Sequence, residues 1–164
     1  MPEFISIDII AGVVIALCVL AFIYFVFGRE KYPYYARDAL LTNTELRFYK
    51  TLTQICQRHY PDLGIAMQVR IADIINCSES DWLRGYGPRI SAKHIDFVLF
   101  EKNTTEIFLC IELDDPSHDK ADRKKRDKFV NQVLKAADVN LLRIMTKNMH
   151  NQSFILGQIK EFIE

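Results

Sequence analysis

Residues 110–119 read CIELDDPSHD. An apolar run over 107–111 opens directly onto Glu112, Asp114, Asp115, His118 and Asp119. Carboxylates placed this close repel one another and raise one another's pKa unless a cation sits among them. A metal ion, an Arg or a Lys can be that cation. A further carboxylate, Asp96, stands inside the apolar run HIDFVLF over 94–100. Residues two apart on a strand share a face, so Glu112 and Asp114 point the same way. A turn over 101–105 brings Asp96 within a few residues of the position facing Glu112. Asp96, Glu112 and Asp114 are thus candidate ligands for Mg²⁺ or Mn²⁺, hard cations that accept carboxylates and keep waters for a phosphate substrate. Such an ion lowers the pKa of a water and stabilises charge on a reacting phosphate.

The surrounding pattern defines the elements that must position these groups. Glu45, Phe48, Tyr49, Leu52, Cys56 and His59 recur at helical spacing over residues 42 to about 60, and Pro61 closes that helix. Residues 65–75 contain a strand or an extended segment, and 77–93, with Gly85, Gly87 and Pro88, read as a loop. Strands follow over 94–100 and 106–114, the second apolar on both faces and so central. A helix over about 120–137 carries the stripe Phe129, Val130, Val133, Leu134 and Ala137; a strand over 140–145 and a final helix complete the chain. The order helix, three strands, helix, strand, helix predicts an α/β fold, a mixed sheet flanked by helices.

The first 28 residues are of another kind. Residues 9–27 contain no charged or strongly polar side chain. Nineteen helical residues nearly cover a hydrocarbon core of about 30 Å. A cleaved signal peptide would call for a basic n-region and a shorter apolar run. Here Glu3 and Asp8 come first, and aromatic Tyr24 and Phe27 are followed by Arg29 and Lys31, which favours an uncleaved anchor. With Arg29, Lys31 and Arg37 after the span, the positive-inside bias predicts a single-pass inner-membrane protein with its C-terminal domain in the cytoplasm. The expected organisation is a transmembrane anchor over 1–28, a juxtamembrane linker over 29–38 and one domain over 39–164. Lys and Arg number 21, as do Asp and Glu, and residues 1–28 hold two of the acids and none of the cations. The remainder is only mildly basic, so bulk charge selects no partner. Cys18, Cys56, Cys77 and Cys110 form no CxxC or Cys/His pattern and ask for no oxidising compartment.

The acidic residues on this arrangement of elements, an Asp followed by Glu-x-Asp, resemble the PD-(D/E)XK restriction-endonuclease-like superfamily. More narrowly, HIDFVLF, EIFLCIELDDPSHD and RKKRDKFVNQVLKAADVNLLRI are similar to an uncharacterised bacterial family, domain-of-unknown-function family 2726, near the very-short-patch-repair-like endonuclease branch. The resemblance covers about residues 39–147. It implies a restriction-endonuclease-like fold, with Asp96, Glu112 and Asp114 as metal carboxylates, His118 as the histidine after the acidic strand and Glu45 as the acid of the first helix. One departure is plain: Asp114 stands where the superfamily has a Lys. Arg126, leaning over the apolar stripe toward the acids, is the stronger substitute. Lys93, by strand alternation on the opposite face from Asp96, is the weaker one.

These residues also have plainer readings. Thr42 and Glu45 fit a capping box. Asp114, Asp115, Ser117 and Asp119 suit the cap of the following helix. His118 fits a solvated loop, and RKKR over 123–126 a solvated helix face. Asp96 fits such a reading least, since a carboxylate between Ile95 and Phe97 needs a partner. The expected function is a membrane-anchored, Mg²⁺- or Mn²⁺-dependent nuclease hydrolysing DNA or RNA. Asp96, Glu112 and Asp114 would hold the ion, His118 would move a proton, and Arg126 would face the phosphate. The alternative is an inactive module of the same fold that binds nucleic acid or a protein at the membrane. If the three carboxylates repel without a metal, Asp114→Asn should stabilise the domain.

Overall fold

The structure is a computed structural model and describes residues 7–28, 32, 34–115 and 121–163. The chain divides into two units, Met1–Asp38 and Ala39–Glu164. The first contains helix α1 (Ile7–Phe27), of which Ile9–Phe27 is long and apolar enough to cross a membrane.

The second unit is a four-stranded mixed sheet with helices on both faces. Helix α2 (Asn43–His59) starts where the sequence places it, because Thr42 and Glu45 form a reciprocal capping box. Strand β1 (Leu63–Arg70) runs into the single turn α3 (Ile71–Ile74), so the extended stretch expected over 65–75 stops at Arg70. The expected loop over 77–93 holds two short helices, α4 (Glu79–Leu83) and α5 (Tyr86–Ser91). The Ser78 side chain caps α4, and Gly85, at φ 96°, makes the left-handed turn between them. Strands β2 (His94–Glu101) and β3 (Ile107–Asp114) form a hairpin. Helix α6 (Ala121–Ala136) then crosses to β4 (Leu141–Met145), and α7 (Gln152–Lys160) ends the fold.

The strand order is β1-β2-β3-β4, antiparallel except for the β3/β4 pair. A parallel neighbour requires a crossover, which α6 supplies. On one face α2 and α7 bury Phe48, Leu52, Ile55, Ile155 and Ile159 against Phe97, Leu99, Ile111 and Ile144. On the other, Val130 and Leu134 of α6 cover Val98 and Cys110, with Ile71 and Ile90 from the short helices. The central strands are apolar on both sides because both sides are covered.

Phe97 is the pivot of this packing. It is fully buried, with its ring 5.3 Å from that of Phe48 and 6.4 Å from that of Tyr49. Its neighbour Asp96 can hold its position only if Phe97 holds its own. Phe97→Ala should therefore cost about 3–5 kcal/mol, the range for a fully buried aromatic, in urea unfolding of the full chain. A loss below about 1 kcal/mol, the scale of an exposed site, would contradict this packing.

Candidate functional site

The acidic residues gather where β3 ends beside the start of α2. Phe97 pairs with Ile111 and Val98 with Cys110, so one step further along the ladder Asp96 comes opposite Glu112. Alternation puts Asp96, Glu112 and Asp114 on the same face as Val98 and Cys110, the face covered by α6. A cleft of about 370 Å³ opens there, lined by Thr42, Thr44, Glu45, Asp96, Glu112, Leu113, Asp114, Asp115, Arg126, Asp127 and Thr146. Glu45, Asp96, Glu112, Asp114 and Arg126, widely separated in the chain, are thus brought together. His118 lies outside the described residues.

Glu112 is the most unusual group in the cleft. It is 5% exposed, and among the described residues its Oε1 has no hydrogen-bond partner. Its Oε2 lies 3.9 Å from the nearer Arg126 nitrogen, and that nitrogen also reaches the His94 carbonyl at 3.5 Å. Burial pushes the Glu112 carboxyl up from 4.5 to about 7, and the Asp96 charge adds to this; Arg126 and Arg143 pull the other way. Asp96 is also raised, first by burial, although its Oδ2 accepts the Leu113 backbone N–H at 2.9 Å, which favours its ionised form.

Gln68 was not singled out in the sequence, where it reads as one polar residue of a strand. It lies between the paired positions Met67–Phe97 and Val69–Ile95, opposite Asp96, with φ 52°. A left-handed non-glycine residue inside a strand is strained by about 1–3 kcal/mol and persists only where its surroundings hold it. Here its Nε2 donates to Glu45 Oε1 at 3.0 Å, and the side chain is near enough to Asp96 to favour the carboxylate. Glu45 in turn accepts the Thr42 N–H on Oε2 at 2.6 Å. One carboxylate therefore caps α2 and anchors Gln68, so the capping role and the site role of Glu45 coexist.

Asp114 has a partner that the sequence reading missed. Its Oδ1 accepts from Arg143 Nη1 at 2.7 Å; Arg143 also lies 3.6 Å from Asp127 and donates to Asn131 at 3.1 Å. The parallel register sets Arg143 beside Glu112 and Asp114. The Arg143 pairing opposes the expected stabilisation by Asp114→Asn: the substitution removes the shorter of two carboxylate contacts of a mostly buried guanidinium, leaving Asp127 at 3.6 Å, and should destabilise the domain. Two further expectations change. Asp114 ends β3 and so is not the N-cap of the following helix, while the stretch 116–120, with Ser117 and Asp119, lies outside the described residues. Lys93 precedes the first residue of β2, so strand alternation does not apply to it, and it lines a second groove with Glu45, Gln68, Asp96 and Arg126. Among the described residues no group of three or more His, Cys, Asp or Glu side chains stands in a metal-holding arrangement. The nearest approach to one is the pair formed by buried Glu112 and half-buried Asp96.

The molecule is thus a mixed α/β domain with an acid-rich cleft at the end of its central strands. Residues 37–162 match the model of the family described as Protein of unknown function (DUF2726), and the chain belongs to that family. No curated protein and no solved structure matches the chain.

The position of Glu112 sets the sign of a pH dependence. Between the unfolded value near 4.5 and the native value near 7 the folded chain keeps a proton that the unfolded chain has released. Stability therefore falls as pH rises through this window, and the penalty is complete above it. Glu112→Gln removes the charge, and its amide can donate to Asp96. The variant should be more stable than the parent at pH 8, by at most about 3 kcal/mol, with the gap closing toward pH 4.5. Urea melts of the full chain across this range test it; parallel pH profiles for parent and variant would refute it.

Proposed function

We propose that this chain is a divalent-metal-dependent phosphodiesterase of the restriction-endonuclease-like kind, acting on nucleic acid at the cytoplasmic face of a membrane. The observation that carries this reading is the buried Glu112 Oε1, opposite Asp96 and with no hydrogen-bond partner among the described residues. A buried carboxylate oxygen with no donor, beside a second, half-buried carboxylate, is relieved by a proton or, above the raised pKa, by a cation. The donor set, all carboxylate oxygen, fits Mg²⁺ or Mn²⁺. Asp96 and Glu112 would hold the ion, with Asp114 joining if it exchanges Arg143 for the metal. A divalent cation supplies Lewis-acid polarisation of a phosphodiester and a water of lowered pKa.

The chain's own residues have distinct tasks in this reading. The Leu113 N–H and Gln68 orient Asp96, and Glu45 holds Gln68. Arg126, exposed at the mouth of the cleft, meets the negative charge of the phosphate. His118, three residues beyond Asp115, would move a proton to or from the reacting oxygen. The anchor Ile9–Phe27, followed by Arg29, Lys31 and Arg37, would keep the domain at the cytoplasmic surface.

One observation favours a second reading. Asp114, which replaces the superfamily's Lys, is already neutralised by Arg143. A cleft arranged in this way suits a module that binds nucleic acid or a protein without hydrolysing it.

Incubating the full chain in detergent with labelled single- and double-stranded DNA and RNA separates the two. Cleavage should appear with Mg²⁺ or Mn²⁺, vanish with a chelator and fall about 100-fold or more in Asp96→Asn and Glu112→Gln, as when a charge-stabilising group is removed from a reacting centre. Cleavage unchanged in both variants would place the activity elsewhere. Binding without cleavage under any metal would select the module.

A further inference from the structure

A pair of cations beside the cleft has no role in the site described above. Arg89, on α5, places its guanidinium carbon 4.5 Å from the centroid of the Phe129 ring, and Lys93 Nζ lies 4.9 Å from the same centroid. Lys93 also donates to the Arg89 carbonyl at 3.1 Å, which ties the two together. Among the described residues neither makes an ion pair with a carboxylate. Both therefore lie within about one Debye length, 8–10 Å at physiological salt, of a like charge. A cation–π contact contributes about 0.5–1 kcal/mol at exposed sites. The ring holds the two side chains in place but leaves their charge unneutralised.

The platform leads somewhere. Lys93 lines the groove that continues past His94 and Arg126 to Asp96. We infer that Arg89 and Lys93, seated on Phe129, bind a phosphate of a nucleic-acid backbone whose neighbouring phosphate approaches Arg126 and the Asp96–Glu112 pair. This rests on the nucleic-acid reading of the cleft and extends it: the strand enters over Phe129. A nucleic acid fits better than an isolated anion, because Lys93 and Arg126 along one groove, with Arg89 beside Lys93 on the Phe129 ring, match a chain with one charge per nucleotide. The groove ends on carboxylates that repel a lone anion. Backbone contacts of this kind are indifferent to base sequence, so the strand would be held without being read.

Fluorescence anisotropy with a short labelled oligonucleotide tests this apart from hydrolysis. The full chain is held in phosphatidylcholine nanodiscs with chelator present throughout, and single- and double-stranded DNA and RNA are titrated across a salt series. The parent should bind at least one of them. The double variant Arg89→Gln/Lys93→Gln should bind that ligand about 10-fold more weakly, with a salt slope smaller by about 1.4–1.8, two phosphate contacts at 0.7–0.9 each. Phe129→Leu keeps an apolar side chain but removes the ring, and should weaken binding by a smaller factor; equal melting temperatures show that the variants fold. Parent-like affinity and salt slope in the double variant overturn the inference. So does binding to vesicles of about one-third phosphatidylserine that depends on Arg89 and Lys93 while no oligonucleotide binds. If the double variant loses oligonucleotide binding but the parent cleaves nothing with Mn²⁺, the platform stands and the hydrolytic reading fails. If cleavage and binding both survive the double substitution, the hydrolytic reading stands and the platform fails.

Discussion

The carboxylate of Glu112 is the constraint on which the site depends. Among the described residues its Oε1 is enclosed without a donor, it faces Asp96 across the strand pair, and the Arg126 guanidinium lies 3.9 Å from its other oxygen. A buried polar atom left unpaired costs about 1–3 kcal/mol, and more if it is charged. Nothing in the packing requires this, because an apolar side chain would extend the Val98 and Cys110 surface that α6 already covers. The domain tolerates the arrangement because two sheet faces with large apolar side chains offset it. Destabilised polar groups of this sort collect at functional sites, where the surrounding structure compensates for them.

The groups around Glu112 divide into two sets. On one side, the Leu113 N–H and Gln68, which Glu45 anchors in its left-handed conformation, favour the ionised form of Asp96, against burial and the Glu45 charge, which together raise its pKa. On the other, Arg143 binds Asp114, Asp127 and Asn131, and so offsets much of the repulsion that the sequence implies, leaving the Asp114 charge the smallest of the causes that raise the Glu112 pKa. The cleft is therefore less acidic than its composition suggests. Among the described residues, the buried carboxylate oxygen left without a donor is Glu112 Oε1.

How much of this was legible in the sequence depended on the range of each interaction. The Asp96–Glu112 juxtaposition follows from a hairpin, whose register is set by a short turn and strand alternation. The Thr42–Glu45 box is local and carries its own signature. Arg143 was missed because it reaches Asp114 only through the α6 crossover and the parallel β3/β4 register, which no local pattern encodes. Gln68 was missed because a strand pattern shows which side chains alternate, not which residue turns to positive φ. Helices α4 and α5, of five and six residues, are too short to show a helical period. The Ser78–Asp81 cap and Gly85 were signals that could have revealed them. His118 and the segment 116–120 fall outside the described residues.

Cation binding by the Asp96–Glu112 pair is tested most directly by counting bound Mn²⁺, with no substrate present. Paramagnetic-resonance titration of the full chain near pH 7.5 should show one Mn²⁺ held per chain and displaced by excess Mg²⁺. It should be lost in both Asp96→Asn and Glu112→Gln, while Arg89→Gln keeps it. A parent chain that holds no Mn²⁺ at millimolar concentration, or one whose bound ion survives Glu112→Gln unchanged, would mean that the pair is not a metal site.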